Sequence, residues 1–165
     1  MNNRLSPFVW RDTPRNAKRV IEILKIGPAE DRQVVICSPK VWGYATHWHP
    51  DLNRTVRCTK TLGGCEHCES HLPQRDKGLL LVANGVGELV GFLELTPSAW
   101  ETVLGFSTTL GGLRGKVIRV YRTRKDKKGR LLVSPLGDYQ GPRALPDDRS
   151  PEATLRRVHG LPDSD

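Results

Sequence analysis

Aromatic residues are scarce in this chain: four Trp, three Tyr and three Phe among 165 residues, 6% of the total. Hydrophobic residues reach only 37%, little for a globular protein yet more than a disordered chain carries. No run approaches the roughly 20 apolar residues that a membrane-spanning helix needs. The opening stretch, MNNRLSPFVWRDTPRNAKR, has no apolar core of the signal-peptide kind. Neither a membrane partner nor secretion is expected, and the expected location is the cytoplasm. Cysteine is limited to four residues, three of them between positions 58 and 68. In a cytosolic chain, clustered Cys near His suggests a metal rather than disulfides.

Catalytic signatures are missing as well. Gly64, not the Pro of the nucleobase deaminases, stands before the Cys65–Cys68 pair. H-E-x-x-H, G-x-S-x-G and a Gly-rich phosphate loop ending in Lys-Ser/Thr are all absent. No acidic cluster offers two-metal chemistry. An enzyme is not expected.

Positive charge, by contrast, is concentrated. The net charge is +8, and residues 114–130, RGKVIRVYRTRKDKKGR, hold nine bases against one acid. That ribbon alone equals the net charge of the whole chain. It favours a polyanion, nucleic acid before an acidic membrane surface; a solvated charged hairpin is the plainer alternative.

The pattern predicts three regions: an arm at 1–16, a folded body at 17–136 with an insertion at 47–76, and a polar, mildly acidic tail at 137–165 with at most a short helix near 151–158. Within the body, 17–26 reads weakly as a strand. QVVIC (33–37) and VWGYATHW (41–48) are β-prone. Asn84-Gly85 between GLLLVA and VGELVGFLEL predicts a two-residue hairpin turn. Thr96 can cap a helix with Pro97 at its first position and Gly105 just past its end. Trp100, Val103 and Leu104 would be its buried stripe, and LGFSTTLGG (104–112) reads as a glycine-containing loop. A second, basic hairpin joins 115–124 to 130–136. Short strands at hairpin spacing with one helix predict a mainly β fold, an antiparallel barrel of the oligonucleotide-binding (OB-fold) type with a zinc-binding loop inserted.

The insertion needs its own staple, and it has one. Cys65 and Cys68 form a C-x2-C knuckle, Cys58 precedes it by six intervening residues, and one histidine completes a Cys3His set for a structural zinc. His47, anchored in a strand, is favoured over His49 at a chain turn; His71 is a third choice. His67 should point away, and Cys37 reads as a buried strand thiol.

Alternation along 41–48 puts Trp42, Tyr44 and Trp48 on one face, and along 116–124 it puts Arg119 and Tyr121 together. Single-stranded nucleic acid needs that pairing, cations for phosphates and aromatic faces for bases. The alternative buries Trp42 and Trp48 and turns Val41 and Ala45 outward. Trp100 reads as core.

THWHP (46–50), RTVRC (54–58) and GGCEHC (63–68) together resemble the zinc-containing single-stranded-DNA-binding proteins of T4-type phages. The resemblance implies His47, Cys58, Cys65 and Cys68 as zinc ligands and Trp and Tyr on a binding groove. The intervals here, x10 and x6, are shorter than in that family.

These features give the expectation of a non-enzymatic single-stranded-DNA-binding protein for replication or recombination. Bases would stack on Trp42, Tyr44, Trp48 and Tyr121. Phosphates would meet Arg114, Lys116, Arg119, Arg122, Arg124, Lys125, Lys127, Lys128 and Arg130. The alternatives are an RNA- or duplex-DNA-binding zinc protein, and an adaptor of a nucleoprotein complex that docks a protein through its zinc loop or tail.

Overall fold

A computed structural model describes residues 21–124 and 129–162. The arm at 1–16 and the basic residues Lys125, Lys127 and Lys128 lie outside the described residues. The elements are β1 (Ile23–Leu24), β2 (Asp31–Ile36), β3 (Trp42–His49), β4 (Arg54–Arg57), a 3-10 turn (Lys60–Leu62), α1 (Glu66–Glu69), β5 (Gln74–Ala83), β6 (Leu89–Leu95), α2 (Pro97–Leu110), β7 (Lys116–Arg122), β8 (Leu131–Asp138) and α3 (Glu152–Val158).

The strands form one eight-stranded sheet in the order β1-β6-β5-β2-β7-β8, with β3 pairing to β5 and β4. This corrects the expected barrel: the sheet is mixed and open, and with three α-helices among the described residues the fold is mixed α/β rather than mainly β. Closure would need the outer edge of β6 to meet the outer edge of β8. Instead β1 takes that edge of β6 in parallel, Ile23 opposite Phe92, and the Phe92 N–H donates to the Glu22 carbonyl at 2.9 Å. β8 protects its own free edge in two ways. Pro135 has no N–H to offer, and the register slips beside Leu136.

The β5–β6 hairpin forms, but with a longer turn than two residues. Asn84 Oδ1 accepts the N–H groups of Val86 and Glu88, and Gly87 rather than Gly85 takes the positive φ. Helix α2 starts where the sequence places it, with Ala99 N–H donating to Thr96 Oγ1. It runs through Gly105 to a left-handed Gly111, so the segment read as a loop is its second half. Ala99 and Val103 are its buried residues, while Leu104 faces solvent.

Both sheet faces are covered. One, under α2, buries Val34, Ile36, Leu80, Val82, Ile118 and Val120 among others. The other buries Val35, Cys37, Leu79, Leu81 and Phe92 beneath the C-terminal segment, which packs Tyr139, Leu145 and Leu155 there. The stretch read as a tail therefore lies along the sheet. Thr154 Oγ1 donates to the Ile21 carbonyl, and Glu152 takes both ends of the Arg57 guanidinium at 2.8 and 2.9 Å.

One contact fixes α2 against the edge of the sheet. Gly43 and Gly78 face each other across the β3–β5 ladder. A Cβ on Gly43 would stand 2.5 Å from the Trp100 ring, and one on Gly78 would stand 2.6 Å from Val41 and 3.3 Å from that ring. The glycine pair leaves a flat seat for the indole. Gly43→Ala is expected to destabilise the fold by about 1–3 kcal/mol through overpacking against a rigid ring. Urea titration checks this; an unchanged midpoint would show that the seat has slack.

Candidate metal centre and nucleic-acid interface

The insertion folds as a lobe off the end of β3. After β3 the chain turns at Pro50–Asn53 and returns as β4, His49 opposite Arg54 and Thr46 opposite Arg57. Cys58 N–H extends that ladder by donating to the Ala45 carbonyl. Gly63 and Gly64, with φ of 121° and 150°, then bend the chain so that Cys65 opens the single-turn α1. Cys65 and Cys68 sit three residues apart on that turn, so their sulfurs face the same way.

Four ligand atoms converge. His47, Cys58, Cys65 and Cys68 place one donor each within 4.8 Å of all the others. His47 Nε2 lies 3.4 Å from Cys68 Sγ and 3.7 Å from Cys65 Sγ, and the Cys58 and Cys68 sulfurs are 3.5 Å apart. A tetrahedral ion bound at ordinary metal–sulfur and metal–nitrogen lengths separates its donors by about 3.5–3.8 Å. The cluster therefore fits a metal.

The other ring nitrogen of His47, Nδ1, donates toward the Leu72 carbonyl at 3.1 Å, with Pro73 O at 3.3 Å. That bond leaves Nε2 free of hydrogen and aimed at the sulfurs, the usual arrangement around a ligating histidine. The pairing of His47 with Gln74 on β5 brings those two carbonyls into place. His49 is engaged elsewhere: its Nδ1 accepts the Leu52 N–H in the turn, and its ring meets His67 edge-on at 5.3 Å. His71 is exposed at a positive φ of 57°.

The thiols are unlike one another. Burial raises Cys65, but hydrogen bonds from the backbone of Thr59, Cys68 and His67 and from the Thr59 hydroxyl overturn that and bring it down to about 6. Cys68 is pushed up to about 11 by its hydrogen bond to Cys58, by burial and by Cys65. A lowered thiol beside a raised one is a setting in which an arriving cation displaces a proton. Cys37 is remote from this centre, wholly buried, and raised to about 11 by that burial.

The residues expected to meet nucleic acid are treated unequally. Trp42, Tyr44, Trp48, Arg119 and Tyr121 all lie on the sheet face that carries the C-terminal segment, as their register positions require. Trp42 and Tyr44 are partly covered there. The Tyr44 hydroxyl donates to Glu94 at 3.0 Å, and its ring lies 6.1 Å from that of His159. Lys40 stands 4.8 Å over Trp42. Trp48 remains 46% exposed. Arg119 lies 4.4 Å over the Tyr121 ring and is paired with Asp31.

Arg114 holds the C-terminal segment, donating to the carbonyls of Cys37, Leu145 and Pro146. Lys116 pairs with Asp138, and Arg122 donates to the carbonyls of Ile26 and Gly129. Arg124 and Arg130 are exposed.

Sequence reading missed the carbonyls that orient His47 and the Arg57–Glu152 pair, since neither has a spacing signature. Among the described residues no helix is long and apolar enough to cross a membrane. No protein-family model matches this chain, and no curated protein and no solved structure is found similar to it.

Proposed function

We propose that the protein is a non-enzymatic single-stranded-DNA-binding protein, serving replication or recombination, with its insertion held by a structural zinc. Three thiolates and an imidazole at tetrahedral spacing suit zinc, and four protein ligands leave no open position for a reactive water. The observation that carries the DNA reading is the shared sheet face on which Trp48 stays open and Arg119 stacks on Tyr121. An exposed indole offers a base a stacking surface, and the basic β7–β8 hairpin, with Arg124 and Arg130 exposed, offers phosphates their counter-charge. The motif-level resemblance to zinc-containing single-strand binders points the same way.

Anisotropy titration of a labelled mixed-sequence strand, with duplex and RNA competitors at two salt concentrations, tests the reading. Binding should favour the DNA single strand and weaken by roughly 0.7 log units per phosphate neutralised for each tenfold rise in salt. Trp48→Ala should cost roughly 5- to 150-fold in affinity, the equivalent of one stacked base. Preference for RNA or duplex would select the second kind of nucleic-acid reader. Metal-loaded protein that binds no nucleic acid at low salt would select an adaptor instead. That second reading is favoured by the exposed Leu52 and Leu62 on the metal lobe, which with Trp48 leave three large apolar side chains open there.

A further inference from the structure

A cavity of about 370 Å³ opens between the metal lobe and α2, on the sheet face opposite Trp48. Ala45 floors it beside the Trp100 indole seated on Gly43, Cys58 borders it, and Lys60, Gln74 and Asp76 bring polar groups to it. The place arises from topology. β4 pairs with β3 only from Thr46 onward and the Cys58 N–H reaches the Ala45 carbonyl, so the Gly43–Tyr44 edge has no neighbouring strand among the described residues. Cys58, one of the four clustered donors, begins the segment whose Lys60 and Thr61 border the gap. The indole Nε1 of Trp100 is buried with no hydrogen-bond partner, and the side chains of Lys60, Gln74 and Asp76 make no hydrogen bond or ion pair among the described residues. Ala45 beneath, an aromatic wall and unpaired polar groups together describe a site for a flat, polar-edged ring.

We propose that this cavity takes a single extruded base of the bound DNA strand and prefers one with an exocyclic amino group. The proposal rests on the single-stranded-DNA reading above and adds base discrimination to it. Asp76 as a carboxylate only accepts hydrogen bonds, whereas the Gln74 amide both accepts and donates. Cytosine presents an amino donor beside a ring-nitrogen acceptor, which matches that pair. Thymine turns a carbonyl oxygen to the same position and is repelled by the carboxylate. Lys60 stands at the rim for the adjoining phosphate. Trp48 lies three residues along β3 from Ala45, roughly 10 Å, but on the other face, so one strand engages both by rounding the β3 edge at Gly43–Tyr44 that β4 leaves open.

The test is the affinity of dC and dT oligomers of equal length for the zinc-loaded full chain, with Asp76→Asn and Gln74→Ala beside the wild type. Asp76 is exposed, so neither the fold nor the metal centre depends on it. The wild type should bind dC about tenfold more tightly than dT, within the span of one specific base contact. Asp76→Asn, which can donate to the thymine carbonyl, should bring the ratio to about twofold or less without weakening dT. Equal wild-type affinity for dC and dT overturns the cavity proposal and leaves the single-strand reading standing. A dC preference that survives both substitutions places the discrimination elsewhere and also overturns it. Failure to bind either oligomer removes both readings together.

Discussion

With zinc bound at the His47–Cys58–Cys65–Cys68 cluster as proposed, a strong chelator is expected to lower the melting temperature by about 10 °C and to unfold the 54–73 lobe while the rest of the sheet persists. The lobe has little else to hold it. The 3-10 turn buries no residue, α1 buries none, and the buried residues of the lobe are Arg57, Cys58 and Cys65. A structural zinc supplies on the order of 10 kcal/mol of binding free energy in small zinc domains. Most of that is spent here on ordering a polar loop, so a net loss of about 3 kcal/mol is expected. At about 2–4 °C per kcal/mol for a chain of this size, that is the shift stated.

Neither apolar cluster contains a metal ligand. Amide exchange should therefore become fast in the lobe and stay slow at Leu79–Ala83. Cys65→Ser should copy the chelated state and drop bound zinc from one per chain to none. Unchanged melting and exchange after chelation would mean that the four side chains hold no metal.

Glu152→Ala destabilises the protein by about 2–3 kcal/mol, the second large effect. The Arg57 side chain is 8% exposed and that of Glu152 38% exposed. Removing the acid leaves a cation in a place that water hardly reaches. Breaking a fully buried pair costs about 3–5 kcal/mol, and the exposure of Glu152 discounts that figure. The double variant Arg57→Met with Glu152→Leu should recover most of the loss, because it strands no charge. If it does not, the cost belongs to helix packing and the pair is incidental.

Acid has the same target. The Arg57 hydrogen bond holds the Glu152 carboxyl below its ordinary 4.5. A carboxyl depressed in the folded state contributes stability above its unfolded value and loses it as pH falls through the folded value. Glu94 adds to this: burial raises it, but Lys77 wins and holds it below 4.5. The melting temperature should decline below about pH 4.5, and less steeply in Glu152→Gln.

The local chemistry of this chain could be read from its residues, whereas the long-range packing could not. β-Branched and aromatic alternation marks β2 and β3, Thr96-Pro97 marks the start of α2, and the Cys spacing marks the cluster. The end of α2 was hidden because Gly105 sits on an exposed position, where a glycine costs only about 1 kcal/mol and does not stop a helix. β4, Arg-Thr-Val-Arg, carries no apolar alternation because it lies at the sheet edge in a metal-held lobe. β5 begins with Gln-Arg-Asp-Lys for a similar reason: that half pairs with β3 near the lobe, away from the apolar clusters. The open sheet depends on a two-residue strand, and the fate of Trp42 and Tyr44 on a helix with two buried residues. No window of sequence around either element announces what it will touch.

The C-terminal cover also has a temporal meaning. Val35, Leu79, Leu81 and Phe92 are synthesised, and can pair through β2, β5 and β6, long before Leu155 leaves the ribosome. A nascent chain that has just completed β8 is dry on the α2 side of its sheet and wet on the other. Until translation reaches α3, that apolar side is open to chaperones and to neighbouring nascent chains. Chains interrupted before Leu155 should be scavenged or aggregate, even though their metal lobe and most of their strands are complete.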